Sequence, residues 1–265
     1  MTLENPNPGL ERKSKNLVHG NRGMLKKVIK RFIPMPVYVT IFRQVHRLQR
    51  PLRWGSFRHT SPLSKVFGFD RGLPVDRYYI EAFLQMYRSD IRWMVLEIGD
   101  PEYTLKFGGD QVVRSDVLHA VPGNPKATMV GDLETGQGLP SNAYDCIILT
   151  QTLPFIFNIK AALITCYTAL KPSGVLLATL PGISQISRYD MDRWGDYWRF
   201  TDLSVRKLFT EVFIGEQVLV ETHGNVLAAC ALLQGIVAEE LTPGELDACD
   251  PDYQVTITVR AQKAG

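Results

Sequence analysis

Cysteine is scarce in this chain and poorly placed for chemistry. The four thiols, Cys146, Cys166, Cys230 and Cys249, form no Cys-x-x-Cys pair and stand at no Cys/His ligand spacing. No metal site and no disulfide framework is therefore expected; buried or incidental thiols of a reducing compartment are. Long apolar runs are missing too: none approaches the roughly 20 residues of a membrane-spanning helix. Met1 to Asn16 is polar and lacks the apolar core of a signal peptide, which makes the cytoplasm the expected location. No Asn/Asp-Pro-Pro-Tyr run and no recognition module occurs, so no nucleic-acid partner is expected.

Acid is nearly absent from the first 60 residues, which hold 13 Lys/Arg against only Glu4 and Glu11. The rest of the chain carries 17 basic and 25 acidic residues, so a net charge of +3 hides a basic arm on an acidic body. Two readings of the arm stay open. It folds over its own domain, or it meets an anionic partner such as a membrane surface or a phosphorylated substrate. Residues 1–22, rich in Asn, Pro, Gly and Lys, read as a disordered tail. Met24, Leu25, Val28, Ile29, Phe32 and Ile33 then recur at helical spacing, with Lys26, Lys27, Lys30 and Arg31 opposite. That is a basic amphipathic helix, stopped by Pro34 and Pro36. A second helix is expected over Val37–Leu48, and an irregular but aromatic-rich stretch follows. Residues 23–72 are thus read as a helical extension and 73–265 as the main domain.

The body is organised around residues 94–153. Four short apolar runs, Met94–Ile98, Val112–Val113, Met129–Val130 and Tyr144–Thr150, are separated by polar connections. This pattern predicts successive parallel strands of an α/β sheet. Ligands of such sheets sit beyond the carboxyl ends of the strands. Glu97, Asp116 and Asp132 fall at those ends and point to a ligand with hydroxyls and amines. Before the first strand, Asp76 is expected to cap a helix through Tyr79, Phe83 and Met86. Afterwards come a helix capped by Asn158, a turn at Lys171-Pro172-Ser173-Gly174 and a fifth strand, Val175–Leu180. A long loop over 181–200, a helix from Thr201, a sixth strand at Gln217–Glu221, a helix over Val226–Glu240 and an antiparallel edge strand at Tyr253–Val259 complete the chain.

From about Tyr78 to Leu180 the sequence resembles the class I S-adenosylmethionine-dependent methyltransferases, especially the small-molecule branch called methyltransferase type 11. The matching residues are Val95-Leu96-Glu97-Ile98-Gly99, Asp116, Gly131-Asp132-Leu133 with Leu139-Pro140, Tyr144-Asp145-Cys146-Ile147-Ile148 and Leu170-Lys171-Pro172-Ser173-Gly174-Val175-Leu176-Leu177. Asp196-Tyr197-Trp198-Arg199-Phe200-Thr201 also looks like a segment of that branch. The resemblance implies a Rossmann-like α/β fold, a seven-stranded mostly parallel sheet here preceded by the helical extension, with S-adenosylmethionine as cofactor. It assigns Glu97 and Gly99 to the loop beneath the methionine part, Asp116 to the ribose hydroxyls, and Asp132 with Leu133 to adenine. Gln151 and Thr152 fall near the methionine moiety, and Arg71 or Tyr79 at its carboxylate.

One departure stands out. The family's first loop reads acid-x-Gly-x-Gly-x-Gly, whereas Pro101 and Tyr103 replace the second and third glycines here. Side chains there limit backbone approach to a ligand, and proline removes a donor. Either the loop holds cofactor differently, with Tyr103 packed against it, or the fold has become a non-catalytic binding or scaffold protein. On the acceptor side the loop 184–199 combines aromatics, acids and arginines. Arg188, Arg193, Trp194 and Arg199 are read as contacts for a small-molecule acceptor. His223, after the sixth strand, is the expected general base, with Tyr189, Asp190 and Asp192 as alternatives. The resulting expectation is methyl transfer to an oxygen of a small molecule such as a sugar or glycan precursor.

Overall fold

The computed structural model describes residues 34–49, 55–214 and 217–265. The basic helix expected over Met24–Ile33 lies outside the described residues, as does Trp54. The chain divides into two compact units, 1–60 and 61–265. In the first, helix α1 spans Met35–Gln49, where the spacing of Val37, Ile41 and Val45 predicts one.

The second unit is built on a seven-stranded sheet. Its members are β1 (Trp93–Ile98), β2 (Val112–His119), β3 (Met129–Val130), β4 (Tyr144–Thr150), β5 (Leu170–Pro181), β6 (Val218–His223) and β7 (Thr256–Gln262). The order across the sheet is β3-β2-β1-β4-β5-β7-β6, and only β7 runs against its neighbours. Helix α2 (Val75–Met86) precedes β1, α3 (Ile159–Ala169) joins β4 to β5, and a four-residue turn α4 (Arg188–Met191) interrupts the long loop after β5. Then come α5 (Asp202–Thr210), α6 (Val226–Gln234) and the short α7 (Pro243–Asp247). This is the Rossmann-like fold that the resemblance implies.

Alternation along the strands makes the two layers of packing. Leu96, Leu118, Ile147, Leu149, Leu176 and Ala178 face α3 and α5, meeting Leu163, Cys166, Val205 and Phe209. Val95, Cys146, Ile148, Val175 and Leu177 face the other way, onto Ile80, Phe83 and Leu84 of α2. A sheet buried on both faces needs apolar residues at successive positions, which is why β4 and β5 read as unbroken apolar runs.

Local chemistry sets the element ends. Asn158 accepts the Ala161 amide, Thr201 and Ser204 form a capping box, and Asn225 accepts the amides of Leu227 and Ala228. Asp76 does not cap α2; Pro74 occupies that position, and Asp76 sits in the first turn. The run Lys171–Gly174 is a bulge inside β5. Two residue steps on β4, Tyr144 to Cys146, are matched by five on β5, Leu170 to Val175, and Ser173 takes a φ of 63°.

The last strands differ from expectation in a way that matters for the site. The antiparallel strand β7 begins at Thr256 and is inserted between β5 and β6 rather than forming the edge. A reversed strand fits there because the connection from β6 starts and ends at the same end of the sheet, where His223 pairs with Thr256. The helix expected over Val226–Glu240 stops at Gly235, whose φ of 70° ends it in the left-handed conformation.

Candidate functional site

A cavity of about 820 Å³ lies over the carboxyl ends of β1, β2, β4 and β5. Its size suits a drug-sized ligand with part of a second. Ile98, Gly99 and Asp100 supply its floor from β1, Leu118, His119 and Ala120 from β2, Thr150, Gln151 and Thr152 from β4, and Pro181 from β5. Gly131, Asp132 and Leu133 follow β3, while Asp76 and Arg77 come from α2. The loop after β5 closes the other side with Ser187, Tyr189, Asp190, Arg193, Trp194, Asp196 and Arg199.

Glu97 is 3% exposed and does not line the cavity. Its carboxylate accepts the amides of Tyr103 (3.1 Å) and Thr104 (2.7 Å) and the Thr104 hydroxyl (2.7 Å). Burial pushes its pKa up to about 7 against the pull of those donors. The Tyr103 hydroxyl accepts from Arg77 Nη1 at 2.8 Å. So the β1–β2 connection, a single wide helical turn over Thr104–Gly108, spends its leading amides on Glu97 rather than on a ligand. Gly99 remains open: its φ is 90°, and a Cβ there would meet no atom within 4 Å. A ligand can approach that backbone directly.

Asp116 is not at the end of its strand. β2 continues for three residues to His119, in register with β1 as Leu96↔Asp116 and Ile98↔Leu118. Asp116 is buried below the cavity, where it accepts from Arg114 Nε (3.0 Å), Thr128 (3.3 Å) and the Tyr144 hydroxyl (3.2 Å). Asp132 and Leu133 do line the cavity. The Asp132 side chain also accepts the Glu134 amide at 2.7 Å, holding the turn that Gly136 closes.

Gln151 and Thr152 follow β4 and line the cavity. Gln151 has a φ of 49°, unusual for a residue with a side chain, and its buried Nε2 has no hydrogen-bond partner among the described residues. A left-handed backbone and an unsatisfied buried donor in one residue are both costly to the fold. The Nε of Arg77 is likewise buried without a partner among the described residues. Beside it, burial pushes the Asp76 carboxyl up from the ordinary carboxylate range, against the attraction of Arg77.

Three expected contacts are elsewhere. Arg71 pairs with Glu240 at the surface. Tyr79 is buried, donates to the Leu246 carbonyl at 2.8 Å and stacks on His223. His223 is the last residue of β6, two strands beyond β5 because β7 intervenes, so it stands ~10 Å from the cavity edge at Pro181. Its Nε2 is within 3.1 Å of the Thr258 hydroxyl, and burial holds its pKa below the ordinary value. The imidazole belongs to the packing of β6 and α2.

In the long loop Tyr189, Asp190, Arg193 and Trp194 face the cavity, while Arg188 and Asp192 do not. Asp190 accepts the Ser187 hydroxyl. Arg193 lies over the Tyr189 ring, 3.6 Å from its centroid, and donates to the Tyr189 carbonyl. Arg199 is fully engaged: it forks onto both oxygens of Asp196 and donates to the carbonyls of Ser184 and Gln185. It organises the loop rather than offering a free guanidinium. Trp198 is 37% exposed and donates to the Ile156 carbonyl.

Sequence reasoning missed Arg77 and Asn124 and read Asp76 only as a cap; His119, which the sequence places on the adenosine side or toward solvent, lines the cavity. Asn124 Nδ2 donates to the Gly99 carbonyl at 2.6 Å and pins the two loops together. The segment around Arg77-Tyr78-Tyr79 was recognised, but helical phase decides which of its side chains turns to the cavity. The lining as a whole carries six acids and three arginines, a balance that favours a cationic ligand over a polyphosphate.

A mostly parallel sheet with a polar cavity over its strand ends defines the class: a Rossmann-like α/β protein with a nucleotide-sized site. No family model matches the chain. Among curated proteins, a 71-residue stretch is 34% identical to a probable polyketide synthase from Dictyostelium discoideum, covering 27% of this chain and 3% of that protein. Among solved structures, the chain is similar to an S-adenosylmethionine-dependent methyltransferase from Archaeoglobus fulgidus, at 16% identity over 76% of this chain and 100% of the other, with a TM-score of 0.49. It is also similar to the N-methyltransferase NodS from Bradyrhizobium japonicum in complex with S-adenosylhomocysteine, at 14% identity over 77% and 95%, with a TM-score of 0.48.

Proposed function

We propose that this chain transfers a methyl group from S-adenosylmethionine to a small molecule, with an oxygen of a sugar or glycan precursor as the acceptor. The observation that carries the reading is the chemistry of the cavity floor. Two buried donors, Arg77 Nε and Gln151 Nε2, lack partners at a cavity whose lining is otherwise acidic. An amino-acid carboxylate satisfies those donors, and a sulfonium with an ammonium satisfies the acids. Asp132 and Leu133 then take the adenine end, and Gly99 allows close backbone approach between them.

The cofactor's sulfonium supplies an already activated methyl group. The chain's own task is to exclude water, hold the acceptor in line and receive a proton. Tyr189 and Arg193 are assigned to acceptor binding. Asp190, which faces the cavity as His223 and Asp192 do not, is assigned the proton.

A second reading, binding without turnover, draws on Asp116 and the amides of Tyr103 and Thr104, all of which are committed inside the protein. Calorimetry tests the shared premise. Micromolar binding of S-adenosylmethionine or S-adenosylhomocysteine, with none of NAD, supports it; no heat from either at millimolar concentration overturns both readings. Methyl transfer to a panel of glycosides and sugar nucleotides then separates catalysis from binding.

A further inference from the structure

The acid that normally accepts ribose hydroxyls in dinucleotide folds follows the second strand. Here the strand ends without one: Asp116 is three residues short and fully engaged, and the residue that terminates β2 is His119. His119 lines the cavity beside Gly99. Its Nδ1 lies 2.7 Å from the Val121 carbonyl oxygen, which can only accept, and 3.4 Å from the Val121 amide, a contact too long to compete. Nδ1 therefore carries the proton of the neutral ring, and Nε2 on the far side is left as a bare acceptor. Nε2 makes no hydrogen bond among the described residues. The ring is also held from the loop after β5, since Trp194 meets it edge-on with centroids 5.7 Å apart and planes at 84°. That contact reaches from the β5 loop over β4 and β1 to β2, so the loop lands on the same imidazole.

On the reading given above, we infer that His119 Nε2 takes the place of the missing acid as the acceptor for the cofactor's ribose hydroxyls, and that Trp194 closes the loop onto this contact. The ring's orientation is fixed from both sides before any ligand arrives, which lowers the ordering cost of the bond. An imidazole acceptor, unlike a carboxylate, adds no negative charge to a lining already rich in acid.

The test is calorimetry of the full chain with S-adenosylhomocysteine and with its 2′-deoxyadenosyl analogue, on wild type, His119→Ala, His119→Gln and Asp116→Asn. Wild type is expected to prefer the parent compound. His119→Ala should bind it on the order of 10-fold more weakly and lose the preference. His119→Gln, which places a carbonyl oxygen near the Nε2 position, should restore part of both. Asp116→Asn, verified as folded by a cooperative melt, should keep the wild-type preference. If wild type binds and His119→Ala retains both affinity and preference, the assignment to His119 is overturned while the cofactor reading stands. Loss of the preference in folded Asp116→Asn alone overturns it equally. Absence of binding by wild type overturns the cofactor reading and this inference together.

Discussion

At the residue scale, two side chains carry strain that a ligand or a proton relieves. Gln151 holds a left-handed backbone and an unpartnered amide at the cavity floor. Gln151→Gly should raise stability by about 0.5–1 kcal/mol, since glycine adopts that φ freely, and should weaken S-adenosylhomocysteine binding. A variant that gains thermal stability with unchanged affinity contradicts a ligand role for the amide. Glu97 is the second case. Its folded pKa, raised by burial to about 7 from 4.5, means the folded state holds its proton more tightly than the unfolded state. The stabilisation is complete below about pH 4.5 and is lost as pH rises through 7, with a span on the order of 3 kcal/mol. His223 works in the opposite direction, because burial lowers its pKa. Comparison with Glu97→Gln isolates the first effect: wild type should lose more melting temperature between pH 5 and pH 8 than the variant does. Equal losses in thermal melts at the two pH values contradict it.

At the element scale, the loop after β5 is held by one side chain. Asp196 is almost fully buried, and the Arg199 fork holds its carboxyl below the ordinary range despite burial, which acts the other way. Arg199→Ala leaves that carboxylate without its cation, which in a buried pair is strongly destabilising. Limited proteolysis should then cut within 184–199 faster than in wild type, while Arg199→Lys, which keeps the charge but not the fork, falls between. Equal cleavage rates would mean the loop is held by its aromatics instead. The elements themselves were largely legible in the sequence. Apolar runs of strand length, with Asn158 and Thr201 at helix starts, correspond to observed features, while the expected Lys171–Gly174 turn is a bulge within β5. The misplacements have physical causes. Strand ends are set by register with neighbours, which no local pattern encodes, so Asp116 reads as terminal when Val117 and Leu118 still pair with β1 and His119 with β3. Sheet order is equally non-local, and the insertion of β7 is what carries His223 away from the cavity. Where two acids or three arginines compete within one loop, only their partners tell which stays free: Arg199 is consumed by Asp196, and Arg193 is not.

At the scale of the molecule, residues 61–265 form a compact unit with its own buried sheet and the whole cavity lining. A fragment of those residues should melt cooperatively and bind S-adenosylhomocysteine within about twofold of the full chain, a difference well below 1 kcal/mol. The basic arm is proposed to serve a separate purpose, attachment to an anionic surface, at on the order of 1 kcal/mol per basic residue near that surface. Sedimentation with phosphatidylserine vesicles should then retain the full chain and lose the fragment; equal retention of both contradicts the proposal. Among the described residues no helix is long and apolar enough to cross a membrane.

The central claim is that the cavity over β1, β2, β4 and β5 holds S-adenosylmethionine by groups it leaves unsatisfied. A crystal structure of the full chain grown with S-adenosylhomocysteine tests it most directly. The account predicts density for the whole ligand in this cavity, with the amino-acid carboxylate within hydrogen-bond distance of Arg77 Nε and Gln151 Nε2 and the adenine beside Asp132 and Leu133. A ligand bound elsewhere, or in this cavity with Arg77 and Gln151 still unpartnered, contradicts it.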